Sequence, residues 1–460
     1  MAIYPSGPDV YPWSYVFPDA VLSLSQTTAI PEFEVFIGWE STASGAFILD
    51  GSTLNSPDLL DGFGVDTFSG AYDNVSADVA SDIRIRRGRN DYLSSMQAGE
   101  IEFDLFRPGN QDFYNPNASA SASPIRAKSP GFAPMRPIKI QAKYGGVTFP
   151  IFVGYLRNLS WDSDTKRAKV NAVDLFLWLS RARPTFTNGE SAAAGVTNTA
   201  SAIEYLLSES NWTRESLIDV DPLGGDSVSS FSSSASSNRT ALSIIEDLLT
   251  AERGYFVVSP EGKAKYRSRV DRAQKISAAV FDGEQAEFGS AIDLDRITNK
   301  ITVTANGSSF PQTASDASSI ALYGLAEGSG ISSTYITTDA RALELAKYLV
   351  GIYSVPRPPV SITIANDSPL TLIRQLTLEI GDRVTIPSDS SAFVFGSSKF
   401  GSTTETFGGA TDDYHIEQIE HRISSGGNYI ETSYLLSQRG AESFVFDRST
   451  FGSTFELFTF

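Results

Sequence analysis

The chain has 460 residues, enough for about three domains at roughly 150 residues each; 41% are hydrophobic and 20% charged, close to a globular average. Acidic residues outnumber basic ones 54 to 36, and the net charge of −18 argues against stable electrostatic binding to DNA or to an anionic membrane. The absence of cysteine excludes disulfides, thiolate metal sites and cysteine nucleophiles.

Short alternating strands dominate the first third of the chain. Polar and apolar residues alternate within them, and glycine or proline interrupts the pattern between them. The strands are predicted at residues 82–87, 100–106, 137–144, 147–152, 155–161 and 167–173. Antiparallel strands at this spacing predict a first β-barrel over residues 75–185, which an N-terminal segment at residues 1–74 precedes.

A mixed helix and hairpin domain is predicted at residues 186–275. Apolar residues recur at helical spacing in 200–207 and in 240–252. Residues 255–259 and 263–269 then flank a Pro-Glu-Gly turn, which predicts a hairpin.

Strand patterns return in the last third of the chain, and a helix at residues 339–353 interrupts them. The strands are predicted at residues 300–304, 361–364, 383–386, 414–423 and 429–436. We therefore predict a second β-barrel from residues 276–311 and 358–440, with a helical insertion at residues 312–357.

One internal repeat is short and clear. The segment Phe393–Phe407 recurs as Phe444–Phe458 with ten of fifteen residues identical, and the second copy lies in a C-terminal arm at residues 441–460. An exposed arm with an apolar phenylalanine face would promote aggregation, so we expect a partner protein to cover it. The candidate interface residues of the arm are Phe444, Phe446, Phe451 and Phe458.

A second, weaker repeat concerns the order of strands in the two predicted barrels. Pro137–Ile140 corresponds to Arg383–Ile386, and Phe152–Trp161 corresponds to Tyr414–Ile423. The predicted fold is therefore mainly β with α+β insertions: two similar small β-barrels per chain plus mixed α/β subdomains.

Candidates for chemistry are few, because the chain has only two histidines, His415 and His421. Glu417 shares their predicted strand face, so a metal site is conceivable. Their span of about 20 Å at 3.3 Å per strand residue is too long for one ion to bridge. A solvated or interfacial strand face is the preferred interpretation, and no Gly-x-Ser-x-Gly motif indicates a serine triad.

A group of aspartates at Asp219, Asp221 and Asp226 could hold calcium through oxygen ligands. The spacing of a twelve-residue calcium loop is missing, so an acidic turn is favoured. Phosphate-binding glycine loops are also missing from the sequence. No catalytic, cofactor-binding or metal residue is predicted, and the chain is not expected to be an enzyme or to need a cofactor.

The strongest basic cluster consists of Arg84, Arg86, Arg87 and Arg89. Arg84 and Arg86 share one strand face, and Arg87 ends the strand. Contact with nucleic acid is one interpretation. Ion pairing with an acidic neighbouring subunit fits the acidic chain better.

The strand order and its turns resemble the hub proteins at the tail tip of long-tailed bacteriophages, also called baseplate hub or minor tail proteins. The resemblance rests on the order of all the matching stretches and not on any single motif. The stretches are residues 72–88, 99–117, 134–155, 254–269, 297–324, 380–386 and 415–423.

The resemblance implies a homotrimer in which two barrels per subunit imitate a six-fold ring. That ring would continue and close the hexameric tail tube at the tail tip of the virion, after synthesis in the host cytoplasm. The implied partners are a distal tail protein or the tube hexamer, the tape measure protein, and tail-tip or fibre proteins. DNA would pass through on ejection without stable binding, and stable membrane binding is not expected.

The sequence is also compatible with two other functions. One is a tail-associated hydrolase of cell wall or glycan, although no stretch beyond the strand scaffold is long enough for an added domain. The other is a receptor- or carbohydrate-binding module with Trp13, Trp39 and Trp212 lining a groove, for which core burial is the favoured alternative.

Overall fold

A computed structural model describes most of the central part of the chain. The described residues are 28–40, 72–90, 94–128, 131–186, 195–210, 212, 218–228, 231, 239–281, 287–290, 297–355, 360–387 and 411–438. Both copies of the phenylalanine repeat, including Phe444, Phe446, Phe451 and Phe458, lie outside these residues, as does Trp13.

The described residues are mainly β, as predicted. The strands are β1 (Glu32–Ile37), β2 (Asp73–Asn74), β3 (Ile83–Gly88), β4 (Gln97–Leu105), β5 (Pro137–Tyr144), β6 (Val147–Asp162), β7 (Arg167–Val173), β8 (Ile218–Asp219), β9 (Tyr255–Val258), β10 (Ala264–Arg267), β11 (Ser277–Val280), β12 (Glu287–Ser290), β13 (Lys300–Thr304), β14 (Gln312–Ser315), β15 (Ile331–Ser332), β16 (Val360–Ala365), β17 (Arg383–Pro387), β18 (Thr411–Ile423) and β19 (Ile430–Gln438). The two strands predicted at residues 147–152 and 155–161 form the single strand β6.

Three of the described helices lie where the sequence predicts them, at residues 199–209, 241–252 and 339–353, and the shorter helices were not predicted. The helices are α1 (Phe176–Leu179), α2 (Thr199–Glu209), α3 (Ala241–Glu252), α4 (Arg269–Gln274), α5 (Ala317–Tyr323), α6 (Asp339–Tyr353) and α7 (Pro369–Thr377). Six of them begin after a polar residue whose side chain accepts a hydrogen bond from a first-turn N–H group, which satisfies a donor that the helix itself cannot. These N-cap residues are Asn198, Thr240, Ser268, Asp316, Thr338 and Ser368.

One sheet of thirteen strands joins the two predicted barrels. In the N-terminal half the strands pair in the order β3-β4-β7-β6-β5-β1, and in the C-terminal half they pair in the order β12-β16-β19-β18-β17-β11. Six strands therefore recur in the same spatial order, and the similarity predicted for the two halves is confirmed. The halves differ at their last strand, since β1 is antiparallel to β5 and β11 is parallel to β17. The domain boundaries stay a prediction.

A β-bulge lies at the same place in the long strand of each half. In β6 the bulge is at Arg157, and in β18 it is at Glu417. A bulge places one extra residue in a strand, and it is a specific feature of a fold and not a defect. Aligning the bulges matches Trp161 with His421, so the sequence alignment of Trp161 with Ile423 is two residues wrong.

The register of the neighbouring strand agrees with this alignment. Pro137 lies opposite Tyr155, and Arg383 lies opposite His415. Tyr155 and His415 each lie two residues before their bulge. The predicted match of Pro137–Ile140 with Arg383–Ile386 is therefore confirmed.

A separate sheet holds the strand predicted at residues 300–304. This strand, β13, pairs with β14 and β15, and the helix α6 packs against β13 and β14. It therefore belongs with the insertion and not with the thirteen-stranded sheet, contrary to the sequence analysis. The alternation of Ile301 and Val303 is the same in either place, so periodicity could not distinguish them.

Two hydrophobic clusters form the core of the described residues. One lies under the N-terminal half of the sheet and also takes in Leu372 and Leu376 of α7. The other joins the C-terminal half to the mixed domain, where Ile245 of α3 and Phe256 of β9 are fully buried. The two halves thus share apolar contacts as well as the pairing of β3 with β18.

Candidate assembly surface

The outer face of the central strands is charged. Arg84 and Arg86 of β3 are exposed because they alternate with the buried Ile83 and Ile85. On β4, Arg84 lies opposite Glu102 and Arg86 lies opposite Glu100, and on β18, Arg86 lies opposite Glu420. Arg86 therefore lies between acidic residues of both neighbouring strands, whereas Arg84 lies between Glu102 and Arg422.

Ion pairs continue this face across further strands. Arg157 lies 3.5 Å from Glu100, and Arg422 lies 2.8 Å from Asp82. Lys169 also pairs with Glu102. Exposed pairs of this kind each stabilise a fold by only about 0–1 kcal/mol, so they contribute little to the stability of the sheet.

Arg89 lies in a buried charge network beneath this face. Its Nε donates to Glu417 Oε2 at 2.7 Å, and Arg272 of α4 donates to the same carboxylate. Ser437 of β19 donates to Glu417 Oε1 as well, and Arg272 donates to Ser437 Oγ at 3.0 Å. Glu417 is 1% exposed. One carboxylate thus connects β3, α4, β18 and β19.

The electrostatics of Glu417 follow from these partners. Burial alone would raise its pKa, but the charges of Arg272 and Arg89 and the hydrogen bonds outweigh that effect and hold the pKa well below its ordinary value. Glu417 is therefore an anion, which balances part of the positive charge of two buried guanidinium groups.

Arg87 is also internal. It donates to Glu379 Oε2 at 3.0 Å and to the carbonyl oxygen of Val258 at 3.2 Å, and it is 4% exposed. Arg87 and Arg89 were predicted to contact another subunit. They instead hold distant parts of their own chain together, and Arg87 lies on the same strand face as the buried Ile83 and Ile85.

The histidines are buried as well. His415, Glu417 and His421 are 1%, 1% and 3% exposed, so the predicted solvated or interfacial strand face is wrong. His421 Nδ1 lies 2.9 Å from Thr432 Oγ1. Among the described residues, no three metal-ligating side chains converge, and Glu417 is already held by arginines.

The pKa of His421 predicts an acid sensitivity. Burial, followed by the charge of Arg87, lowers this pKa to about 3 from 6.5. The unfolded chain binds a proton below pH 6.5 that the folded chain rejects, so stability falls as the pH falls from 6.5 towards 3. Relative to wild type, His421→Gln should lose about 2 kcal/mol less between pH 7 and pH 5 in urea unfolding. An identical loss in both proteins would contradict this assignment.

The candidate calcium aspartates are engaged separately. Asp219 pairs with Arg267 at 2.6 Å, and Asp226 pairs with Arg341. Asp221 accepts the backbone N–H groups of Leu223 and Ser268. The preferred interpretation as a turn is thus supported by the partners of each carboxylate.

Two of the three tryptophans of the predicted groove, Trp39 and Trp212, lie in the core. Trp39 is fully buried, and Trp212 is 4% exposed. Neither can line an open carbohydrate-binding surface, in agreement with the favoured alternative.

Sequence reasoning missed several exposed apolar side chains in and next to the insertion. Leu322, Leu325 and Phe310 are 75%, 61% and 71% exposed, and the first of them lies on α5. The run Ile320-Ala321-Leu322-Tyr323 was the available signal, because it is apolar on all sides of a short helix.

The strand edges that have no partner within the described part of the chain include those of β12 and of the end of β6. The strand β12 pairs with β16 on one side only. In β6, residues 158–162 pair with β7 but lie beyond the end of β5. An exposed edge presents unpaired N–H and C=O groups that can pair with another chain.

No described helix has the length and apolar character needed to span a membrane.

No known protein-family profile matches the chain, and no curated protein matches it. Several solved structures, in contrast, align with the chain. The crystal structure of a 43 kDa tail protein of prophage MuSo2 from Shewanella oneidensis aligns with a TM-score of 0.50 and 12% identity over 88% of this chain and 96% of that one. A tail protein from Neisseria meningitidis MC58 aligns with a TM-score of 0.49 and 10% identity over 80% and 94%. The chain thus has the fold of the MuSo2 tail protein, and its predicted resemblance to phage tail proteins is confirmed at the level of the fold.

Proposed function

We propose that this protein is a structural hub of a phage tail tip, built as a homotrimeric ring that continues and closes the tail tube. The observation that carries the proposal is the recurrence of six strands in one spatial order within a single sheet. Three chains with two similar halves each place six similar units around one axis. Such an arrangement matches a six-fold tube with a three-fold ring.

The charge of the chain supports a conduit for DNA. Each chain carries −18, and like charge repels DNA within a screening length of about 8 Å at physiological salt. We propose that the acidic excess lines the channel and that DNA passes during ejection without stable binding. The partners proposed are the distal tail protein or tube hexamer, the tape measure protein and tail-tip or fibre proteins.

Electron microscopy of the purified protein tests the ring. The expected class averages show six similar lobes around a central opening. Compact particles without an opening would contradict the proposal.

DNA affinity provides a separate test of the conduit. Arg84 and Arg86 are exposed, and we propose that they contact carboxylates of a neighbouring tail protein. Fluorescence anisotropy with labelled duplex DNA should show no appreciable binding even at low salt. Arg86→Glu should impair tail assembly and leave DNA binding negligible. Tight, salt-sensitive binding that Arg86→Glu abolishes would instead identify a nucleic-acid-binding protein.

The C-terminal arm is proposed to dock on a partner. Deleting residues 441–460 should leave the free energy of unfolding unchanged within about 0.5 kcal/mol, because the described core ends at β19. The same deletion should reduce the number of assembled tails seen by electron microscopy in phage lysates. Normal tail assembly after the deletion would contradict the docking role.

A further inference from the structure

The joint between the two halves shows how one half binds the other. The strand β18 pairs with β19 along one side. On the other side it pairs with β17 over its first residues and with β3 from Gln418 to Ile423. The strand β3, at the edge of the N-terminal half, thus pairs with the second part of β18, the long strand of the C-terminal half.

The equivalent position in the N-terminal half has no partner among the described residues. The strand β6 pairs with β7 along one side, and on the other side it pairs with β5 as far as Tyr155. Aligning the bulges places Asn158 where Gln418 lies and Asp162 where Arg422 lies. Residues 158–162 of β6 are therefore equivalent to the edge of β18 that pairs with β3.

The strand that matches β3 is β12, at the end of the sheet. Both strands flank the second strand of their half: β3 pairs with β4, and β12 pairs with β16. When the strand pairings of each half are followed outward from its bulge, Gly289 of β12 occupies the position that is equivalent to Arg84 of β3. Unlike β3, β12 has a strand on one side only within the described residues.

We propose that β12 of one copy pairs antiparallel with residues 158–162 of β6 in the next copy and so repeats the joint of β3 with β18 between chains. The equivalences set Asp162 opposite the next copy's Gly289. The contact joins two different surfaces, so it is heterologous and generates a closed ring when the rotation per subunit divides a full turn. The inference rests on the proposed ring and names its interface.

The bulge residues distinguish the two joints. At the joint within the chain, the bulge residue Glu417 pairs with Arg89, which follows β3. In β6 the bulge residue is instead the basic Arg157, which is 59% exposed. A β3 strand at this edge would bring Arg89 to another positive charge, so the two joints discriminate between partners.

A disulfide test uses the absence of native cysteine. Residues opposite each other in an antiparallel pair have Cα atoms about 4.5–5.5 Å apart, within the range that a disulfide spans. Asp162→Cys combined with Gly289→Cys should give a ladder of covalent dimers and trimers on a non-reducing gel after mild oxidation. The matched control is Arg84→Cys with Arg422→Cys, an opposite pair within one chain, which should form a disulfide in the monomer band only.

Solution mass separates the failure of this inference from the failure of the ring. A trimer whose Asp162→Cys and Gly289→Cys variant forms no disulfide between chains would overturn the strand pairing and leave the ring in place. A monomer without such a disulfide would overturn both.

Discussion

Replacing Glu417 with glutamine is expected to lower the free energy of unfolding by about 3–5 kcal/mol. Glu417 is the shared partner of Arg89 and Arg272 in a site that is almost fully buried. Glutamine has nearly the same size and keeps one oxygen acceptor, but it leaves two buried guanidinium groups without their counter-charge. The loss therefore reports the uncompensated charge and not a cavity.

Urea unfolding monitored by circular dichroism measures this effect. The matched control is Glu420→Gln, since Glu420 lies on the same strand and is exposed. It should change stability by no more than about 0.5 kcal/mol. If both variants lose the same small amount, the buried network does not hold β3, α4, β18 and β19 together.

Gly88→Ala is expected to destabilise the joint between the two halves by about 3 kcal/mol or more. Gly88 has a φ of +106°, which side chains rarely adopt, and a Cβ there would overlap the carbonyl oxygen of Glu417. The atom in the way belongs to the backbone of β18, so it cannot rotate aside. The strands β3 and β18 would have to separate at this point.

Gly146→Ala separates backbone strain from this steric effect. Gly146 has a φ of +82° in the turn between β5 and β6, and a Cβ there would meet no atom within 4 Å. It should cost about 1 kcal/mol from strain alone. Equal losses for Gly88→Ala and Gly146→Ala would show that the close approach of β3 to β18 is unimportant.

Periodicity predicted most of the longer strands and the three longest helices, because burial on one face imposes a period of two or of 3.6 on the sequence. The strand at Ile83–Gly88 and the helix at Asp339–Tyr353 are examples. Periodicity does not reveal which strands pair. It therefore placed β13 in the thirteen-stranded sheet, although this strand pairs with β14 and β15.

The partners of the buried charges could not be predicted from the sequence. Arg84 and Arg89 look alike in a basic run, but only Arg89 meets a carboxylate 328 residues away in the chain. The bulge at Glu417 is also hard to recognise in the sequence, because its one extra residue only shifts the phase of the alternation. Both features depend on contacts between distant strands, which only the folded sheet brings together.

The central claim is that three copies of this chain form a ring. The most direct measurement is the mass of the purified protein by size-exclusion chromatography with light scattering. The account predicts a particle of three times the chain mass of 49.7 kDa, unchanged on dilution into the micromolar range. A stable monomer or a closed dimer would contradict it.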